Sequence, residues 1–118
     1  MTTDHRIAAI LPCSDIEASE AFYKRLGLVV VSDYGDYRIL ADGNGWHLHL
    51  NSTPGWPRKV EDNAIGLYLY VDDVDAVADR VRELIIEKGA PHQKPWGTYE
   101  FAVSDPNGTL VRIGRATG

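Results

Sequence analysis

The hydrophobic pattern of the chain occurs twice. Residues 11–18 end an apolar stretch, pass through polar residues suited to a helix N-cap and open an amphipathic segment, and residues 69–76 do the same 58 positions later. Ser14 and Glu17 have the spacing of a capping box, and either Asp72 or Asp73 can cap the second helix. The spacing of apolar residues predicts helices over about 16–26 and about 74–88, with Gly27 in the left-handed conformation after the first.

Each predicted helix is followed by apolar segments typical of strands. These cover 28–33, 37–41 and 46–50 in the first half, and 99–104 and 109–114 in the second, with a weak strand near Gln93. The turn sequences DGNG (42–45) and DPNG (105–108) contain Gly and Asn, which we expect to adopt positive φ. The pattern therefore predicts a β-α-β-β-β module twice.

The two modules require each other, because one alone would leave a sheet face bare. We expect one α+β domain over 1–118, with module one at about 5–51 and module two at about 64–115. The stretch between them, about 52–63, contains Pro54, Gly55 and Pro57 and is interpreted as a linker.

Composition excludes several classes of protein. With 118 residues, 44% hydrophobic and 25% charged, the chain has ordinary globular usage, and its apolar runs are too short to span a membrane. The single cysteine, Cys13, excludes an intramolecular disulfide, and the N-terminus lacks signal-peptide features, so we expect a cytoplasmic protein. A net charge of −5 argues against nucleic acid as a partner and favours a cationic ligand.

Two segments carry a family resemblance: LPCSDIEASEAFYKRLGL (11–28) and PWGTYEFAVSDPNGTLVRIG (95–114). With the paired modules, they resemble the vicinal oxygen chelate superfamily, which includes glyoxalase I, extradiol dioxygenases, fosfomycin-modifying enzymes and bleomycin resistance proteins. The second segment is similar to the bleomycin-resistance branch in particular. The resemblance implies a curled mixed sheet around a concave groove, and a homodimer that completes the groove. Pro12 is a candidate hinge for exchange of the N-terminal strand between copies.

Enzymes of this superfamily hold a divalent metal with four side chains, one each from the first and last strand of each module. The resemblance and the repeat together place these positions at Ala8, His49, Gly66 and Arg112. Ala8 and Gly66 have no donor atom, and Arg112 is permanently positive. We therefore expect no metal site, no cofactor and no metal-assisted catalysis.

Strand alternation places Tyr68 and Tyr70 on one face, and likewise pairs His47 with His49. Tyrosines packed at a strand edge, or histidines lining a polar groove, would give the same pattern. By resemblance, Trp96 would stack on the flat bithiazole of the drug, although it could instead staple its loop to the core. The candidate ligand-binding residues are Trp96, His47, His49, Tyr68, Tyr70, Trp56, Arg112 and Glu100.

These residues favour a non-enzymatic resistance protein that binds and sequesters a bleomycin-type antibiotic in a groove at the dimer interface. One alternative is a metal-dependent glyoxalase- or dioxygenase-type enzyme that uses His47, His49 and Glu100. A second is a carrier or sensor of another planar small molecule. Neither a nucleic acid nor a membrane is an expected partner.

Overall fold

The computed structural model describes residues 5–117. The first module contains β1 (Ala9–Cys13), α1 (Ile16–Arg25), β2 (Val29–Asp33), β3 (Tyr37–Ala41) and β4 (His47–Ser52). The second contains β5 (Gly66–Tyr70), α2 (Val74–Arg80), β6 (His92–Gln93), β7 (Thr98–Ser104) and β8 (Leu110–Ala116). The predicted order of elements is confirmed in both modules.

The strands form two mixed sheets of four, in the orders β1-β4-β3-β2 and β5-β8-β7-β6. In each sheet the first and last strands of the module pair in parallel, and the other pairs are antiparallel. The α+β class is confirmed, although the single curled sheet expected from the sequence is divided into two. Within residues 5–117, no helix is long and apolar enough to cross a membrane.

Alternation along the strands separates a buried face from an open face in each sheet. The buried faces of both sheets belong to one apolar cluster, which includes Leu11, Leu40, Leu48, Leu50, Phe101, Val103, Val111 and Ile113. The register places Ile10, His49 and Ile39 side by side on the open face of the first sheet. It likewise aligns Tyr68 with Arg112 on the open face of the second. These open faces are the sheet surfaces that a ligand can reach.

Helix α1 begins one residue later than the capping prediction. The Asp15 side chain accepts a hydrogen bond from the Ala18 N–H at 3.2 Å and is therefore the N-cap. The prediction of Ser14 as the N-cap is wrong, because the Ser14 hydroxyl instead accepts a hydrogen bond from Asn107 Nδ2 at 2.9 Å. Gly27 follows the helix with φ of 99°, as predicted.

Helix α2 is shorter than predicted. It ends at Arg80 and a single 3₁₀ turn follows over Arg82–Leu84, whereas the apolar spacing had favoured a helix to residue 88. Strand β6 pairs with β7 only at Tyr99 and Glu100, so the edge of β7 remains open further along. Ile85 forms an antiparallel bridge to Val103 at this open edge. This apolar residue of the predicted helix therefore pairs with a sheet edge and does not continue the helix. The N-cap is Asp73, whose side chain accepts from the Ala76 N–H at 3.1 Å.

A buried polar network joins the two modules at the DPNG turn. Tyr23 of α1 donates its hydroxyl to Asp105 Oδ2 at 2.7 Å, while Oδ1 accepts the N–H groups of Asn107 and Thr109. Burial, followed by the Asp105 charge, raises the pKa of Tyr23 well above its ordinary value. In the DPNG turn, positive φ was expected of both Asn107 and Gly108, but only Gly108 has it. No non-glycine residue in the described part of the chain has positive φ.

Candidate functional site

Five of the eight candidate residues meet on the open face of the second sheet. Tyr68 lies beside Arg112, while Tyr70 and Glu100 flank Gly114 from opposite sides. Trp96 reaches the same place from the loop that precedes β7. We call Tyr68, Tyr70 and Trp96 the aromatic shelf.

Glu100 connects the parts of this surface. Its side chain is nearly enclosed, with only 3% of the residue exposed. Oε1 accepts hydrogen bonds from Thr98 Oγ1 at 2.5 Å, and from Tyr68 Oη and Trp96 Nε1 at 3.2 Å each. Oε2 faces Arg112 Nη1 at 3.8 Å. Burial alone would raise the pKa of Glu100, but the hydrogen bonds outweigh it and hold that pKa below its ordinary value, so the carboxylate is ionised at neutral pH.

The shelf presents aromatic surface to solvent. Tyr70 is 68% exposed and Trp96 is 62% exposed. The Tyr68 and Tyr70 ring centroids lie 4.6 Å apart at 39°, and Lys94 Nζ lies 5.8 Å from the centroid of the Trp96 ring. Because Glu100 anchors one edge of Tyr68 and one edge of Trp96, the rings are oriented before any ligand arrives.

Sequence reasoning missed Gly114 and Thr98. A Cβ at Gly114 would lie 2.6 Å from Tyr68 Oη and 2.6 Å from Glu100 Cβ, so only glycine allows the tyrosine to reach the carboxylate. The available signal was a glycine inside an apolar strand, which is typical of a close approach by another group. Thr98 could have been found from strand alternation, because it lies two residues before Glu100 on β7 and therefore on the same face.

The other three candidates lie elsewhere in the chain. His49 is on the open face of the first sheet, where its Nδ1 lies 2.6 Å from Tyr37 Oη. His47 is half-buried and lines, with Tyr68, a cavity of about 260 Å³ between the two sheets. Trp56 is half-buried in the linker, and its Nε1 finds no hydrogen-bond partner among the described residues. Within one chain His49 and Trp56 therefore lie apart from the Glu100 cluster, which consists of Glu100, Thr98, Tyr68, Trp96 and Arg112. His47 reaches its edge through the cavity that it shares with Tyr68.

The four inherited metal positions do not fit a divalent cation. Ala8 and Gly66 offer no ligand atom, and Arg112 faces Glu100 with a positive charge. His49 could supply one nitrogen, whereas a protein metal site of this kind needs at least three ligands. Across residues 5–117, no three His, Cys, Asp or Glu side chains are grouped to hold a metal ion.

The shelf is an open surface and not an enclosed pocket. A cleft of about 1030 Å³ runs between the turn after β3 and the start of α2, and Tyr70 and Trp46 line it. Trp96, Glu100 and Arg112 are not part of its lining. A ligand on the shelf of one chain would therefore keep one side in solvent.

Comparison with known proteins identifies the fold. Residues 5–113 match the model of the glyoxalase/bleomycin resistance protein/dioxygenase superfamily. A bleomycin-binding protein complexed with bleomycin has 26% identity and a TM-score of 0.79, with 95% of this chain and 98% of that chain covered. A bleomycin resistance determinant encoded on transposon Tn5 also has 26% identity, with a TM-score of 0.80 and coverages of 96% and 98%.

A glyoxalase/dioxygenase from Nostoc punctiforme is similar in fold alone, with 20% identity, a TM-score of 0.76 and coverages of 94% and 90%. No curated protein matches the chain. The resemblance drawn from the sequence is confirmed: the chain belongs to the glyoxalase/bleomycin resistance protein/dioxygenase superfamily.

Proposed function

We propose that the chain binds a bleomycin-type glycopeptide antibiotic on the aromatic shelf and sequesters it without chemical change. The observation that carries this proposal is the set of exposed rings held in place by the buried Glu100 carboxylate. Two solved structures with 26% identity support it, since one binds bleomycin and the other is a bleomycin resistance determinant.

Flat heteroaromatic groups suit this surface. Ring–ring contacts of good geometry are worth about 0.5–1.5 kcal/mol each beyond the area they bury. Tyr68 and Trp96 are already hydrogen-bonded to Glu100, so little side-chain freedom is lost when a ligand stacks on them. Sequestration then needs only affinity and abundance, because bound drug is withdrawn by mass action.

A second copy of the chain would complete the site. Small-molecule sites typically bury about 70–90% of the ligand surface, which an open shelf does not achieve. The first sheet has an open face of its own, where Ile10 is 58% exposed beside His49 and Ile39. We infer a homodimer in which this face of one copy covers the shelf of the other and brings His49, His47 and Trp56 toward the ligand. Exchange of the N-terminal strand at Pro12 remains a prediction, to be tested by crosslinking β1 to β4 within and between copies.

The chain's own chemistry favours binding over turnover. The inherited metal positions lack donors, and burial raises the pKa of the Cys13 thiol, which makes it a poor nucleophile. A metal-dependent enzyme using His47, His49 and Glu100 would need these groups together, but among residues 5–117 they are not grouped as ligands of a metal ion. A buried free thiol also suits the reducing cytoplasm in which we expect the protein to act.

Tryptophan fluorescence during titration with metal-free bleomycin tests the proposal. We expect saturable quenching in the native protein, loss of most of that quenching and at least tenfold weaker binding in Trp96→Ala, and recovery of intact drug after release. Trp46→Phe is the matched control, since its indole packs against the core and donates to the Tyr70 carbonyl at 3.0 Å. Chemically altered drug, or equal binding by Trp96→Ala, would overturn the proposal. Tighter binding of another planar compound would favour the carrier or sensor alternative.

A further inference from the structure

We propose that Arg112 makes the aromatic shelf selective for ligands in which a carbonyl or carboxylate oxygen is attached to the planar ring. This rests on the proposed function and specifies the ligand chemistry of the same site. It differs from the expectation, drawn from net charge, that positive charge on the ligand is what the protein recognises.

Arg112 occupies the centre of the open face. It pairs with Tyr68 of β5 on one side and with Ala102 of β7 on the other. Its side chain is 46% exposed. The distance from its Nη1 to Glu100 Oε2 is 3.8 Å, which is too long for a hydrogen bond. No hydrogen bond from the guanidinium to another side chain or carbonyl is observed among residues 5–117, so its N–H donors are available to a ligand.

Small neighbours leave the guanidinium accessible. Ala102 has no side chain beyond Cβ, and a Cβ added at Gly66 would meet only the Leu110 carbonyl, at 3.5 Å. A planar ring stacked on Tyr68 can therefore direct a substituent toward Arg112 without displacing protein atoms. The planar fork of arginine binds carboxylates with two parallel hydrogen bonds, and it donates to amide carbonyls as well.

The charges on this face favour the same ligand. Glu100 is the carboxylate that the register places here, and its oxygens are already taken by Thr98, Tyr68 and Trp96 or turned toward Arg112. A cationic group on the ring would meet the exposed guanidinium of Arg112. The exposed carboxylate beside this face, Glu87, is already paired with His92 and with Lys94, whose ammonium lies near the Trp96 ring. An acceptor group would instead fill the unused donors of Arg112.

The test compares three bithiazoles that differ in one substituent: carboxylate, carboxamide and aminomethyl. Each is titrated calorimetrically against the native protein and against Arg112→Gln and Arg112→Lys. Arg115→Gln is the matched control, because it removes the same charge from the same strand but its guanidinium lies over the Tyr99 ring, away from the open face. Bleomycin is titrated in parallel, and thermal unfolding of each variant verifies that it is folded.

We expect the native protein and Arg115→Gln to prefer the carboxylate over the aminomethyl compound by at least about tenfold, since the guanidinium can donate charge-assisted hydrogen bonds to the carboxylate and repels the ammonium. Arg112→Gln should lose that preference, and Arg112→Lys should retain part of it for the carboxylate alone. If Arg112→Gln ranks the three bithiazoles by affinity as the native protein does, the inference about Arg112 is overturned. The proposed function is then still supported, provided that bleomycin binds. An Arg112-dependent ranking without bleomycin binding overturns the proposed function instead. If no compound binds, both fail.

Discussion

Replacing Gly114 by alanine tests whether the Glu100 cluster is a built feature of the fold. The new Cβ would lie 2.6 Å from Tyr68 Oη, 2.6 Å from Glu100 Cβ and 2.7 Å from the Tyr99 carbonyl. The first group can rotate away, but the Tyr99 carbonyl is backbone and Glu100 is enclosed, so the sheet must shift or the Tyr68–Glu100 hydrogen bond must break. Overpacking typically costs about 1–3 kcal/mol, and a hydrogen bond to a charged group contributes about 1.5–3 kcal/mol. If Tyr68 moves away, the overpacking is relieved but its hydrogen bond is lost, so the two costs do not add in full. We therefore expect the free energy of unfolding to fall by about 2–4 kcal/mol in total.

Urea unfolding followed by circular dichroism measures this loss, and thermal unfolding should show a melting temperature lower by roughly 3–6 °C for each kcal/mol. Gly66→Ala is the control. It lies on the same face of the same sheet, but its Cβ would meet only the Leu110 carbonyl at an ordinary 3.5 Å. We expect it to be neutral, or stabilising by up to about 1 kcal/mol. If Gly114→Ala and Gly66→Ala were equally stable, the close approach of Tyr68 to Glu100 would not exist in solution.

Three further predictions follow from the hydrogen bonds. Glu100 has a lowered pKa in the folded chain, so its contribution to stability is fully present above the unfolded pKa and is lost as pH falls through the folded pKa. In urea unfolding at a series of pH values, the difference in unfolding free energy between the native protein and Glu100→Gln should therefore become smaller as the pH is lowered. Tyr23→Phe removes a buried donor to Asp105 and should cost about 1.5–3 kcal/mol in the same assay, with an unchanged value refuting the network that joins the modules. Asp73→Ala removes the α2 N-cap and should cost about 0.5–2 kcal/mol, whereas Asp72→Ala should be neutral, and equal effects would contradict the capping assignment.

The sequence predicted element order well because each module repeats the same hydrophobic pattern. It failed where tertiary contacts decided between local options. Ser14 and Asp15 are both good N-cap residues, and the choice depended on Asn107, which lies far along the chain and occupies the Ser14 hydroxyl. Ile85 fitted a helix by spacing, but the open edge of β7 took it as a bridge partner. Neither contact leaves a local trace in the sequence.

For the candidate site, the sequence predicted which residues share a surface but not the contacts between their side chains. Alternation and the family resemblance selected Tyr68, Tyr70, Trp96 and Arg112, and the structure brings them together. Glu100 as a ligand-binding group stays a prediction. Because Glu100 is buried and accepts hydrogen bonds from Tyr68 and Trp96, we propose that it also positions these aromatic residues. This positioning depends on side-chain geometry across three strands and a loop, which strand alternation alone does not contain.

Calorimetric titration of the metal-free protein with metal-free and Cu(II)-loaded bleomycin measures whether the chain binds this drug. If the chain sequesters bleomycin, we expect saturable heat with about one drug bound per chain, loss of that heat in Trp96→Ala, and intact drug recovered from the complex. No heat at about 100 μM protein would set the dissociation constant above a useful range, with a binding free energy weaker than about −5.5 kcal/mol. That result would contradict sequestration of this drug and leave the aromatic shelf without its proposed ligand.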